Sequence, residues 1–527
     1  MATFLRPGIF TQEVLTPLQP SGFGLSGESV ACFAAPYNIG PAVPTLVTSW
    51  QNYVNLYGNF SQANGSYLAF AVYSFFANGG QACIVLRVPN TDATDATLTL
   101  VDIEGTPATL GTVTSLSPGN WANNIYIEIV TVGNAQHVTI NVYYGGTTAQ
   151  YLVEQWVNVS ANPADSRFAP PIINSPVSGS QYISLTGVNG NKNTLAWHLG
   201  AYLAGSTDFA PIAPTQLSSG VDGVGAPAMA TQVPLLLDAY CQDQILMLNL
   251  PGPQAASDIN TIVAWAAARE DVLVYIDGPA PNFPETSATV ASNYTSMLTG
   301  GSPITSSSYA TIFGPYLNIQ DPSSTNAGAT RFIPPCASIL GLQSVADTSV
   351  GVQQAAAGTS WGQIGAIGLE TNFSTTDLNN LFAGRINPVK YVPGFGYCVF
   401  GARTLLAGYP DQYLSIRRIL MKIEHDLKQI TQFALFEPNQ PSLWQAMTTV
   451  MTTYLNQQTQ AGLFATQNSA TAFQVICDAS VNTPQSAQAG IVNATVAVAL
   501  GSPAEIIVIT IQQLQSSTSS VATSTTS

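Results

Sequence analysis

Ser360, three histidines and six cysteines are the residues with the chemistry to cut a bond or hold a metal. Ser360 lies in Gly358-Thr-Ser-Trp-Gly362, the G-x-S-x-G spacing of a nucleophile elbow. An elbow needs a buried strand before the serine, then an acid and a histidine later in the chain. Val352-Gln-Gln-Ala-Ala-Ala precedes it, which is no core strand, and the one later histidine, His425, falls on a polar helix face. A hydrolase using Ser360 is thus a remote alternative, and a serine-directed fluorophosphonate probe tests it. Gly22-Phe-Gly-Leu-Ser-Gly27 spells G-x-G-x-x-G, but Pro17 and Pro20 stand where a strand should be. A dinucleotide site also needs an acid about 20 positions on; after Glu28 the next is Asp92. His137, His198 and His425 are scattered, and Cys32, Cys83, Cys241, Cys336, Cys398 and Cys477 lack paired spacing, so no metal site is expected. Lysine occurs only at 192, 390, 422 and 428, none in a P-loop. No cofactor is expected, and the chain reads as a non-enzyme.

Composition points the same way. Only 8% of the 527 residues are charged, against about a quarter in an ordinary soluble domain. With 13 Lys+Arg against 28 Asp+Glu, a nucleic-acid surface is excluded, because phosphate binding needs clustered cations. High apolar content excludes disorder throughout. The longest apolar stretches fall far short of the roughly 20 residues a bilayer requires, and no secretory leader is expected. The cysteines, mostly in apolar contexts, read as buried reduced thiols of a protein made in a cytoplasm. A surface so poor in charge is better covered by partners than by water, which suggests an assembly protein.

Five segments follow from periodicity. Residues 1–20 read as an extended arm with a short strand at Ile9-Phe10-Thr11-Gln12-Glu13-Val14. Residues 21–90 and 205–375 alternate strands and helices, which predicts an α/β domain with a mostly parallel sheet. Residues 91–204 carry period-2 runs separated by turn residues, the pattern of an inserted β-sandwich or barrel. Residues 376–510 read as a C-terminal α+β domain with helices over 411–433 and 440–460 and strands over 472–477, 491–499 and 505–511. The tail, residues 511–527, is dominated by Ser and Thr from Ser516 onward and reads as disordered.

Two constellations stand out. Arg417, Arg418, Lys422 and Lys428 place four of the 13 cations on one helix. Ile416, Ile419, Leu420, Ile423, Leu427 and Ile430 form its core-facing stripe. Arg418, Lys422 and His425 share another face, and Glu424 stands four residues before Lys428 in the favourable order. Scarce positive charge on one face suggests an acidic partner surface. The second constellation is the pair of strand-like ends, Ile9 to Val14 and Ile506-Ile507-Val508-Ile509. Unpaired strand edges seek partners, and addition to a neighbouring subunit would satisfy them.

The chain resembles contractile tail sheath proteins, found in long-tailed phages and related injection systems. Pro7-Gly8-Ile9-Phe10-Thr11-Gln12-Glu13 is similar to the family's arm motif. Tyr67 to Gly80 followed by Cys83-Ile-Val-Leu-Arg-Val88 is similar to the family's Y-L-x-x-A-V-x-x-F-F-x-N-G-G…V-x-R-V run. Pro118-Gly119-Asn120-Trp121-Ala122-Asn123 resembles P-G-x-W-G-N, with Ala for Gly, and Gly220-Val221-Asp222-Gly223 resembles a G-G-x-D-G loop. In the C-terminal part Gly384-Arg385-Ile386-Asn387, Gly401-Ala402-Arg403-Thr404-Leu405, Arg417-Arg418 through Glu424, and Phe433-Ala-Leu-Phe-Glu-Pro-Asn439 also match.

The resemblance implies a subtilisin-like α/β middle domain in architecture only, an inserted β-sandwich on the outer surface and a C-terminal sheath domain. It implies stacked hexameric rings around an inner tail tube protein, with terminal arms exchanged between copies. Baseplate and tail terminator proteins would be further partners. Contraction would drive the tube through a target envelope without nucleotide, direct membrane insertion or nucleic-acid contact. The implied location is a virion tail, assembled in the bacterial host cytoplasm. The cationic residues Arg417, Arg418, Lys422 and Lys428 would then face the tube. A non-phage injection particle or tailocin is the alternative; a two-chain secretion sheath disassembled by an ATPase fits a single long chain poorly.

Overall fold

A computed structural model of the chain describes residues 29–60, 66–102, 108–132, 137–160, 162–175, 179–187, 197–199, 212–326, 328–408 and 411–505. The expected arm strand Ile9–Val14, the Gly22–Gly27 motif, the strand Ile506–Ile509 and the Ser/Thr tail lie outside the described residues.

Runs such as Val-Ala-Cys-Phe-Ala-Ala and Val-Leu-Val-Tyr-Ile are apolar at every position, which suits strands covered on both faces. They build an eight-stranded mixed sheet. Its order is Gly396–Val399, Ile386–Val392, Ala310–Gly314, Val272–Asp277, Leu246–Asn249, Val30–Pro36, Cys83–Val88 and Thr45–Val47. The six inner strands are parallel, and both edge strands run antiparallel to their neighbours. Successive residues alternate between faces. Ala31, Phe33 and Ala35 join one apolar cluster with Val72 and Phe75 of the helix Leu68–Ala77 and Ile339 of the helix Cys336–Ser349. Val30, Cys32 and Ala34 join the other, with residues of the helices Met229–Tyr240, Ala256–Arg269 and Ser287–Thr299.

Local signals place the covering helices. Ser49 caps Trp50–Tyr57 by accepting the Asn52 N–H. Asn78 and Gly79, the latter at φ +91°, stop Leu68–Ala77. Helices Leu68–Ala77 and Cys336–Ser349 approach so closely that a Cβ on Gly341 would lie 2.5 Å from the Phe75 carbonyl oxygen. Glycine there is required by contact, not by backbone angle.

Period-2 segments give two four-stranded antiparallel sheets. One holds Trp197–Leu199, Thr97–Asp102, Ala108–Ser115 and Ile183–Thr186; the other Ile212–Gln216, Ile125–Val132, His137–Tyr144 and Leu152–Val159. Leu98, Val113, Ile127, Ile129, Ile140 and Val142 share the cluster that also covers one face of the large sheet. The insertion therefore ends later than expected, since Ile212–Gln216 pairs with Ile125–Val132. The C-terminal unit likewise starts later than residue 376, because Ile386–Val392 pairs in parallel with Ala310–Gly314.

That unit contains the helices Leu414–Ile430 and Pro441–Gln460 and a two-stranded sheet, Phe473–Ile476 with Thr495–Val498. Small clusters hold it together, one around Leu455 and Phe464, another around Trp444 and Met451. Its second strand starts at Thr495 rather than 491, because the Asn482 side chain bonds both the N–H (2.6 Å) and the carbonyl (2.9 Å) of Asn493. All six cysteines are buried and unpaired. Burial pushes their thiols up, Cys241 to about 11.

Candidate functional site

The helix Leu414–Ile430 carries the expected cationic face, and its surroundings change that reading. Its first turns enter the α/β body, so Leu414 through Ile419 are all buried. Arg418 is 4% exposed. Its guanidinium forms an ion pair with Asp347 of the helix Cys336–Ser349. It also donates to Ser29 Oγ at 2.8 Å and to the Val352 carbonyl at 3.3 Å. Ser29 Oγ in turn donates to Asp347 Oδ2 at 3.0 Å. Burial alone would lower the Arg418 pKa; the adjacent Asp347 carboxylate overcomes this and raises it. Arg417 is 8% exposed and lies 4.5 Å over the Tyr309 ring, a cation–π contact. Both arginines thus serve the interior of the subunit, and the expectation that they form an exposed tube-facing surface is corrected. The sequence stripe was right in phase, but a helix running into a protein body is buried all round.

The other two cations lie nearer water. Lys422 pairs with Asp426 at 3.4 Å. Lys428 is exposed and pairs with Glu270 at 3.4 Å, not with Glu424. Lys428, Glu424 and His425 line a cleft of about 400 Å³ against Asp238, Asp243, Arg269, Glu270 and Asp271. Burial raises the Asp271 carboxyl to about 6 despite the Arg269 beside it. Burial likewise raises Glu424 and lowers His425. The acids in this cleft outnumber the bases, which no helical wheel reveals, because four of them come from another part of the chain.

The chain enters and leaves the insertion at a polar seam. Asp222 accepts the Asn120 N–H at 2.7 Å and its amide group at 3.0 Å, which caps the 3-10 turn Asn120–Asn124. The Asn123 side chain brackets Gly220, accepting its N–H at 2.9 Å and donating to its carbonyl at 2.8 Å. Asp92 accepts N–H groups from Val224 and Gly225. Gly223, at φ +74°, would place a Cβ 2.3 Å from Asp92 Oδ1. Arg87, 1% exposed, reaches from the large sheet to the carbonyls of Tyr37 (2.5 Å), Gly40 (3.0 Å) and Pro118 (2.6 Å) and to Ser117 Oγ (2.7 Å). The P-G-x-W and G-x-D-G motifs are therefore two halves of one joint. Asp222→Ala leaves the Asn120 N–H without its partner. A loss of about 1–2 kcal/mol is expected, as for other lost caps, with faster hydrogen exchange confined to residues 118–124 and 218–224.

Ser360 is exposed on the four-residue helix Gly358–Trp361 and is entered from a loop, not a strand. Asp277, a fully buried acid, accepts N–H groups from Cys336 (3.0 Å) and Gly252 (3.2 Å) and the amide of Asn249 (3.0 Å). Its oxygens are occupied with structure.

Two features face outward. Neither outer edge of the sheet Phe473–Ile476/Thr495–Val498 is paired with another strand among the described residues. The loop after Leu414–Ile430 exposes Phe433, Leu435 and Phe436, the last fully and at φ +67°. Phe436 is thus a large apolar side chain in water at a backbone angle that bulky residues rarely adopt.

Residues 412–513 match the family model described as the phage tail sheath C-terminal domain. The C-terminal unit is similar to that sheath domain. Solved structures extend the likeness in fold to the whole chain. A chain of the anti-feeding prophage baseplate superposes with a TM-score of 0.54 at 17% identity, covering 97% of this chain and 100% of that one. A chain of the anti-feeding prophage helical sheath in its contracted state gives 0.53 at 17%, covering 97% and 100%. The sheath complex of PVC, an extracellular contractile injection system, in its contracted state gives 0.51 at 20%, covering 97% and 99%. Among curated proteins, none matches the sequence. The chain thus has the fold of a contractile tail sheath protein. Asp347 and Ser29, which hold the sheath domain to the body, escaped sequence reasoning: they are 71 and 389 positions from Arg418.

Proposed function

We propose that this chain is the structural, non-catalytic subunit of a contractile tail sheath. Copies polymerise as stacked hexameric rings around an inner tube and contract to drive the tube through a target cell envelope. The observation that carries this is the sheath C-terminal domain at 412–513 on a chain whose fold matches sheath structures over 97% of its length. In this reading the large sheet with its helices is the subtilisin-like middle domain, and the two four-stranded sheets are the sandwich exposed on the outside. The arms, Ile9–Val14 and Ile506–Ile509, add as strands to neighbouring subunits; the edges of the two-stranded sheet, unpaired among the described residues, support them as acceptors. The energy for contraction is stored in the assembled lattice rather than taken from nucleotide.

Negative-stain electron microscopy of the purified protein, alone and co-expressed with its tube protein, is the test. Striated tubes or stacked rings wide enough to hold an inner tube are expected. Particles that stay monomeric in both preparations would overturn the proposal.

Delivery of a phage genome from a virion tail is the favoured setting, with the tail built in the host cytoplasm. The non-phage reading draws on two compared systems, the anti-feeding prophage and an extracellular injection system. Capsid and terminase genes beside this one decide for phage. Tube contact on the helix Leu414–Ile430 narrows to Lys428, 63% exposed, and to Lys422, 19% exposed. Lys428→Glu should leave the melting temperature within about 2 °C, since exposed ion pairs contribute about 0–1 kcal/mol. It should reduce the fraction of sheath recovered on tubes; unchanged recovery would remove Lys428 from the tube surface.

A further inference from the structure

The strand Leu152–Val159 lies at the edge of its four-stranded sheet and, among the described residues, pairs on one side only, with His137–Tyr144. Leu152, Val153 and Val157 are 38%, 40% and 50% exposed. Charge gives this edge little protection. Glu154, its single charged side chain, is engaged by Ser180 Oγ at 2.5 Å and the Gln181 N–H at 2.6 Å. An apolar strand with free backbone groups is a template for another chain. The structure answers this at one point. Between the pairs Val138–Val159 and Ile140–Trp156 the register slips by one residue, and Asn158 takes φ +59°. Successive carbonyls of a regular strand point to opposite edges; this bulge leaves those of Val157 and Asn158 both within reach from outside. Arg167 takes both. Its Nε donates to the Asn158 carbonyl at 3.1 Å and its Nη2 to the Val157 carbonyl at 2.8 Å. Its backbone is anchored as well. The Arg167 N–H donates to Asp165 Oδ1 at 2.8 Å, and its carbonyl accepts the Ser160 N–H at 2.8 Å. Asp165 Oδ2 in turn lies 3.0 Å from Nε2 of His137, on the neighbouring strand.

We propose that Arg167 guards this edge against a second copy of the chain. With the guanidinium fork on two neighbouring carbonyls, the strand of another copy finds no acceptor there. An ammonium could fill one carbonyl but not span both, because it donates from a single point. The guard sits where the edge is most inviting, since Val157 is the most exposed apolar residue of the strand. Copies that meet through other surfaces are thereby kept from also joining edge to edge. The inference goes beyond the sheath reading and does not depend on it. In that reading, which puts this domain outside, the same contact keeps tubes from joining side by side.

Sedimentation velocity of the full-length protein over a concentration series tests this, with wild type as the reference for association through other surfaces. Arg167 is exposed, so Arg167→Ala should melt close to wild type. It should raise the apparent association constant about fivefold or more, which is what one hydrogen bond gained between copies supplies. Adding Val153→Lys, a charge on the same edge, should return association to the wild-type level. Arg167→Lys should fall between wild type and Arg167→Ala, and it takes the place of Arg167→Ala if that variant melts well below wild type. Association equal to wild type in the variant that folds overturns the proposal. So does raised association that Val153→Lys leaves in place, because it comes from another surface. Tube formation is scored separately by electron microscopy. Protein that forms no tubes still shows loss of the guard as extra association, so the sheath reading and this one can fail independently.

Discussion

Asp347→Ala should destabilise the subunit by about 3–5 kcal/mol, the usual effect of stripping one partner from a buried ion pair. Arg418 would keep its charge at 4% exposure, with only Ser29 Oγ and the Val352 carbonyl left as acceptors. Native domains are stable by only about 5–15 kcal/mol, so the loss is a large share of the total and should lower the urea midpoint clearly. The damage should start at the interface between the sheath domain and the body. Tryptophan fluorescence in a urea titration reports the loss, Trp444 in the cluster of the C-terminal unit being one of the seven tryptophans. The double variant Asp347→Leu/Arg418→Met should recover most of the loss, because an apolar pair of similar volume avoids the desolvation of both ions. An Asp347→Ala midpoint equal to wild type would show that the pair contributes nothing to the joint. A reversed charge at Arg418 should fail for the same reason and cannot serve as a probe of tube binding.

Deletion of residues 1–14 should abolish long tubes while leaving a folded subunit. Among the described residues, the clusters on the two faces of the large sheet are built from Val30 onward. The stability of the body should therefore change by less than about 1 kcal/mol, while the polymer loses one added strand per subunit. A strand of six residues offers several backbone hydrogen bonds of about 0.5–1.5 kcal/mol each, repeated at every contact along a tube. Sedimentation and electron microscopy read the result: single subunits or short ring stacks are expected, and long tubes from the truncated protein would refute arm exchange.

Much of the body was legible because its signals are local. Val30–Pro36, Cys83–Val88 and Val272–Asp277 are apolar runs of strand length, and the Ser49 cap and the Asn78-Gly79 stop lie within their own helices. What failed depends on distant partners. The helix start was placed at 411, yet Thr404 bonds the carbonyls of Asp411 and Gln412 in a turn and Tyr413 bridges to Arg403, which delays the helix to Leu414. Ile386–Val392, broken by Pro388 and Lys390, did not read as a strand of the parallel sheet. The cationic face was misplaced for the same reason: a helical wheel orders residues around an axis but is silent on what surrounds that axis. Asp347, Tyr309 and Glu270 supply the surroundings.

The burial of all six cysteines has a practical consequence for spectroscopy on the polymer. The thiolate is the reactive species, and thiols raised by burial stay protonated at neutral pH. A single cysteine replacing Val224, which is 97% exposed, would be the one thiol that maleimide dyes or spin labels reach quickly. Every subunit would then carry one probe at a defined point, with no native cysteine to remove first. Donor–acceptor distances across such a lattice would follow ring spacing in real time.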